Sequence, residues 1–262
     1  MKKKLVGLAL VVIVSIAAGF ALFWPKGEPV ATPFEAAAAV EQALIRGEDT
    51  VVLRPTAELD EDRLFRVLEA VWPYAFTLHC TSYADGRLEV TVETEHAAAQ
   101  AQAALLAEEL ARQETQGIDD ARGKLRALHD LLVRTCRYDE AAAARSSRLD
   151  GADSAFTAYG ALVDGRAVCA GYARAFVLLC RGAGLDAVYI ADDRMNHGWN
   201  AVRLDGETLF IDCTFDDPVP DRGDAVSDEF FLVSADRMAA THTWDRTFYE
   251  QVMDARWGAR KK

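Results

Sequence analysis

Residues 157–190, TAYGALVDGRAVCAGYARAFVLLCRGAGLDAVYI, and residues 196–212, NHGWNAVRLDGETLFID, decide how the chain folds. In the first stretch, Val163-Asp164-Gly165-Arg166 reads as a turn. Cys169 then opens an apolar helix running to about Arg181. Phe176, Val177 and Cys180 continue one face at helical spacing, and Gly182 with Gly184 ends the helix. A thiol in the first turn of a helix sits among unpaired backbone N–H groups at the positive end of the dipole, which favours thiolate over thiol. Cys180, almost three turns further along, lacks that position. A free cysteine is most often a small buried hydrophobe, so position alone does not make Cys169 a nucleophile.

The second stretch supplies its partners. Residues 196–204 read as a strand, Asp205-Gly206 as a two-residue turn, and residues 207–212 as the returning strand. This register sets Leu204 opposite Glu207 and Trp199 opposite Asp212. Side chains alternate along a strand, so His197, Trp199 and Asp212 share one face. His197 and Asp212 become diagonal neighbours, about 7–8 Å apart at most between Cβ atoms. A buried carboxylate on one imidazole nitrogen fixes the tautomer and leaves the other nitrogen facing a nucleophile. Taken alone, His197 reads as a surface histidine and Asp212 as a turn former. With a cysteine at a helix start, in the order Cys, His, Asp, they form a catalytic constellation.

Ahead of these stretches, residues 34–95 read as a small module of order α-β-α-β-β. An alanine-rich helix covers 34–46, a strand 50–54 and a helix 59–72. A hairpin follows, turning at Ala84-Asp85-Gly86. Two longer helices, at 96–116 and 119–136, lead into the domain spanning 96–262. His129 lies on the second helix and reads as a polar-face or satisfied core residue. Asp216-Asp217 and residues 221–224 lack the ligand spacing of a calcium loop and read as polar turns. Residues 28–33 read as an extended linker, and residues 145–153 as a polar loop.

Residues 1–27 are unlike the rest. Lys2-Lys3-Lys4 precedes an uncharged run, residues 5–24, and then Pro25. Twenty residues at ~1.5 Å rise span roughly 30 Å, the thickness of a bilayer's hydrocarbon core. The run ends in bulky residues, FALFW, where a signal peptidase needs small ones. The expectation is therefore one N-terminal transmembrane helix, an uncleaved anchor with its lysines cytoplasmic and the C-terminal domain outside. A cleaved signal peptide is the rival reading, and it too exports the domain.

The net charge is −12, and the four lysines before Glu28 leave 25 basic against 41 acidic side chains in the remainder. Such a surface repels phosphate backbones, which excludes nucleic acid as a partner. Five cysteines, an odd count in an exported chain, leave at least one thiol free. They show no metal-binding spacing, so no metal or cofactor is expected.

GALVDGRAVCAGYARAF, NHGWNAVRLDG and FIDCTFDDP, in this order, resemble the nucleophile, histidine and aspartate segments of the transglutaminase-like family within the papain-type cysteine enzymes, as found in exported bacterial members. HDLLVRTCRYDEAAA and FFLVSADRMAATHTWD resemble the helix before that core and the segment that closes it, so the similarity covers about residues 120–245. The resemblance implies an α+β fold in which the nucleophile helix packs on an antiparallel sheet. It makes Cys169 the nucleophile, His197 the general base and acid, and Asp212 the residue that orients His197. Its chemistry is acyl transfer or hydrolysis through a thioester, acting on peptide or carboxamide bonds of extracytoplasmic proteins or cell-wall peptides. An inactive binding or scaffold module at the cell surface is the alternative. The sequence departs from the family pattern at Gly198, Ala170 and Phe215, where alanine, glutamine and tryptophan are common. Tyr138, Tyr159 and Trp199 are candidates for a second oxyanion donor or for the pocket wall.

Overall fold

The computed structural model describes residues 27–145, 153–217 and 225–258. The expected N-terminal membrane helix and the loop at 221–224 lie outside these residues, as does most of the loop expected at 145–153. Among the described residues, no helix is long and apolar enough to cross a membrane.

Strand β1 (Glu28–Val30) pairs in parallel with β2 (Thr50–Pro55), so residues read as linker form a sheet edge. The prolines at 29 and 33 do not prevent this. An edge strand tolerates a residue without an N–H, and Pro33 falls in the first turn of helix α1 (Pro33–Ile45). Thr32 caps that helix by accepting from the Glu35 amide. Helix α2 (Glu61–Val71), capped by Asp60, precedes the hairpin β3 (Phe76–Ser82) and β4 (Leu88–Thr94). The four strands lie in the order β1-β2-β4-β3.

Helices α3 (Ala97–Glu114) and α4 (Ala121–Thr135) follow, then β5 (Arg137–Tyr138) and α5 (Glu140–Arg145). Strand β6 (Arg166–Ala167) pairs in parallel with β5 and leads into α6 (Cys169–Gly182). Every residue of α6 from Cys169 to Cys180 is buried, as an apolar helix enclosed on all sides must be.

The three-stranded antiparallel sheet β7 (Ala187–Asp192), β8 (His197–Leu204) and β9 (Glu207–Ile211) follows. Its β8–β9 register pairs Leu204 with Glu207, as read from the turn. Asp205 and Gly206 both have positive φ, 53° and 83°, the backbone of a tight hairpin turn that suits Asp-Gly. The sheet separates two cores. Tyr189, Val202 and Ile211 pack with Phe176, Leu179 and the faces of α3 and α4. Val188, Ile190, Trp199 and Phe210 pack with Leu53, Leu64 and Leu68 of the N-terminal module. Helix α8 (Arg246–Trp257) adds Phe248 and Val252 to that second core, after the short α7 (Ala235–Met238). The module is therefore part of the wall behind the sheet rather than an appendage.

Candidate active site

Cys169 is the first residue of α6 and 5% exposed. No side chain caps this helix, so no side-chain acceptor takes up its first N–H groups. The sulfur lies 3.9 Å from the Asn196 carbonyl oxygen, which brings the helix start to the turn between β7 and β8. Asn200 ties the two elements further along, its amide donating to the Ala173 carbonyl at 3.0 Å.

His197 opens β8, and its Nε2 lies 2.6 Å from Asp212 Oδ2. That bond occupies one ring nitrogen and leaves Nδ1 for the thiol. Burial opposes a charged imidazole here. The charge and hydrogen bond of Asp212, followed by the hydrogen bond and charge of Cys169, outweigh it and raise the His197 pKa above the ordinary histidine value. Burial at 1% exposure works to raise the Asp212 carboxyl, yet the charge and hydrogen bond of His197, followed by the hydrogen bonds of His242 and the Phe215 amide, hold it below the usual range. Its Oδ1 accepts from the backbone N–H groups of Thr214 and Phe215, at 2.9 and 3.1 Å. Trp199 stacks on His197 at 5.7 Å between ring centroids. The exposed Phe215 lies tilted against the same imidazole, 4.8 Å between centroids. The structure thus brings Cys169, His197 and Asp212 into one cluster.

Among the candidate oxyanion donors, Tyr138 is the one linked to the thiol. Burial, then the charges of Cys169 and Asp212, push its hydroxyl up to about 12. Trp199 is 1% exposed, and its Nε1 has no partner among the described residues, which places it in the core. Tyr159 packs at the edge of the core around α6. A cleft of about 1010 Å³ borders His197. Its walls come from α2 (Phe65, Glu69), from the end of β7 and the turn after it (Asp192, Asn196), from Trp244, and from Tyr249 of α8.

The polar turn read at Asp216-Asp217 is buried instead. Asp216 is 0% exposed, accepts from the Phe230 amide at 3.0 Å and meets His129 Nε2 at 3.1 Å. Asp217 accepts from the Tyr172 hydroxyl at 2.6 Å. Two adjacent aspartates look like solvent-facing residues in sequence, and their partners come from α4, from α6 and from the Phe230 amide. His129 is a satisfied core residue, as expected. None of the five cysteines is paired.

His242 was not singled out by sequence, since it lies outside any periodic segment. It is fully buried, with Nε2 2.9 Å from Asp212 Oδ2. Two imidazoles and a carboxylate are ligands that zinc accepts, and the donor atoms of His197, Asp212 and His242 lie within 4.8 Å of one another. Each nitrogen is already at hydrogen-bond distance from the shared oxygen, so a metal would have to displace the protons that join them.

Residues 108–215, which include Cys169, His197 and Asp212, match the family model described as the Transglutaminase-like superfamily. No curated protein matches the chain. Among solved structures, it is similar to a TGase at 16% identity and a TM-score of 0.35, with 63% of this chain and 50% of that chain covered. It is also similar to a candidate cysteine protease from Cytophaga hutchinsonii, at 17% identity and a TM-score of 0.35, covering 56% of this chain and 64% of that one. The chain thus spans between half and two thirds of these proteins' lengths, and at such scores they do not bear on its chemistry.

Proposed function

We propose, for a chain that carries a transglutaminase-like region over residues 108–215, a cysteine enzyme that transfers or hydrolyses acyl groups through a thioester. The observation that carries this reading is the 2.6 Å bond from His197 Nε2 to Asp212, which leaves Nδ1 for a thiol at a helix start. The Cys169 thiolate attacks the carbonyl carbon of a peptide or carboxamide. As the C–N bond breaks, His197 gives its Nδ1 proton to the leaving amine, and a thioester remains. His197 then takes a proton from an incoming amine or water, which attacks the thioester and releases the thiolate. Asp212 holds the imidazole in one tautomer and stabilises its charged form. The oxyanion meets the backbone N–H of Cys169, with the Tyr138 hydroxyl as second donor.

The acidic surface and the uncharged run at 5–24 support an extracytoplasmic enzyme anchored by one N-terminal helix, acting on surface proteins or cell-wall peptides. The test uses the full chain with casein and a fluorescent primary amine, following both amine incorporation and peptide release. A Cys169-dependent product is expected, with hydroxylamine capturing the acyl group of the thioester as a hydroxamate adduct. Absence of both products and of the adduct contradicts the proposal. Retention in the membrane fraction at uncleaved size tests the anchor.

A further inference from the structure

We propose that His242 is a positioning residue of this site, fixing the Asp212 carboxylate and moderating its hold on the His197 proton. The inference rests on the cysteine-enzyme reading above.

Asp212 is bound by four donors. Thr214 and Phe215 occupy Oδ1 with backbone N–H groups, while His197 and His242 share Oδ2 at 2.6 and 2.9 Å. An ionised carboxylate only accepts, so His242 carries a proton on Nε2. Its Nδ1 lies 2.8 Å from Thr241 Oγ1, and the Thr241 hydroxyl can donate there. The ring is wedged among Phe215, Trp199, Phe230 and His197, with centroids at 4.7, 4.9, 5.3 and 5.4 Å. It therefore has one orientation, and its N–H points at one atom.

Two consequences follow for the chemistry. Asp212 stays satisfied and oriented while the proton of His197 moves, because three of its four donors belong to groups that do not react. A second N–H on Oδ2 also draws on the charge that stabilises the His197 imidazolium. The titratable groups facing the cluster are Cys169 from α6, Tyr138 from β5, His197 from β8, and Cys213 beside Asp212. Burial keeps the Cys213 thiol well above its ordinary range, and Tyr138 is raised too, so neither supplies a charge that competes with the pair.

The test measures alkylation of Cys169 by iodoacetamide across pH, resolved by mass spectrometry on the full chain. His242→Phe keeps an aromatic ring and removes the donor, while His242→Gln keeps an N–H of similar reach. In His242→Phe, the rate at pH 7 should fall about tenfold. The upper step of the profile, where His197 gives up its proton, should move up by about half a unit or more, since Oδ2 of Asp212 then serves His197 alone. His242→Gln should stay within about threefold of wild type with little shift. Thr241→Val, at an exposed residue, should give a smaller upward shift, and it keeps the test available if His242→Phe does not fold. An unchanged profile in His242→Phe and Thr241→Val overturns the proposal. So does equal damage by Phe and Gln with no shift, which is the signature of packing alone. A wild-type Cys169 that reacts no faster than Cys80 overturns the parent reading with it, whereas a fast wild type separates the two.

Discussion

Asp212 and Asp216 lie four residues apart, and each buries its carboxylate against a histidine, yet only one pair is arranged for chemistry. His129 has a carboxylate at each ring nitrogen, Asp130 Oδ1 at 2.9 Å from Nδ1 and Asp216 Oδ2 at 3.1 Å from Nε2. It is 0% exposed on the inner face of α4, with its ring centroid 5.0 Å from that of Phe231. No nitrogen is left over. His197 spends one nitrogen on Asp212, keeps the other for Cys169, and borders the cleft. A histidine–aspartate pair is thus a structural clamp until a spare nitrogen, a nucleophile and access are added.

The contrast breaks most sharply under His197→Ala. That change should reduce Cys169-dependent acyl-enzyme formation at least about 10³-fold, measured by single-turnover trapping. The folded state should survive it, because Asp212 keeps His242 and the Thr214 and Phe215 amides as donors. His129→Ala should do the reverse. It leaves Asp216 buried without its imidazole, at about 3–5 kcal/mol, which lowers Tm by about 10 °C for a domain of this size. Acyl-enzyme formation by the folded fraction should stay within about threefold. A His129→Ala chain of normal Tm and lost chemistry would invert the comparison.

Stability against pH separates the pairs more gently. The folded pKa of His197 is raised, so its contribution is fully present below about pH 6.5, the unfolded value, and is lost as pH rises through the folded value. The folded pKa of Asp212 is depressed, so its contribution is present above about pH 4 and lost as pH falls through the folded value. Asp212→Asn removes both, and should flatten the wild-type stability curve on its acid and alkaline sides in urea titrations. A curve of unchanged shape contradicts the coupling. The smallest effect belongs to Gly198→Ala. Its Cβ would come within 2.7 Å of the buried Tyr189 ring, so overpacking of about 1–3 kcal/mol is expected from chemical denaturation. The same close approach favours glycine at this position beside His197.

Much of this site was legible because local rules sufficed. The apolar helix opening at Cys169 and the Asp205-Gly206 turn fix their own geometry, and the turn alone sets the register that brings Asp212 toward His197. The α-β-α-β-β order of the module was likewise visible in its periodicity. What stayed hidden depends on distant packing. His242 reaches Asp212 from an irregular segment 30 residues away. Asp216 and Asp217 lie in the turn that they read as, but their burial depends on α4 and α6 packing over it. Strand β1 was hidden by Pro29, which an edge position excuses.

The central claim is that Cys169 is an activated nucleophile, and selective alkylation of the full chain near pH 7 tests it most directly. Cys80 is the comparator, being partly exposed and, mainly through burial, pushed up to about 11. Cys169 should react about 10²-fold faster than Cys80 in the wild type and lose most of that advantage in His197→Ala. If Cys169 reacts no faster than Cys80, or His197→Ala leaves its rate unchanged, the account is contradicted.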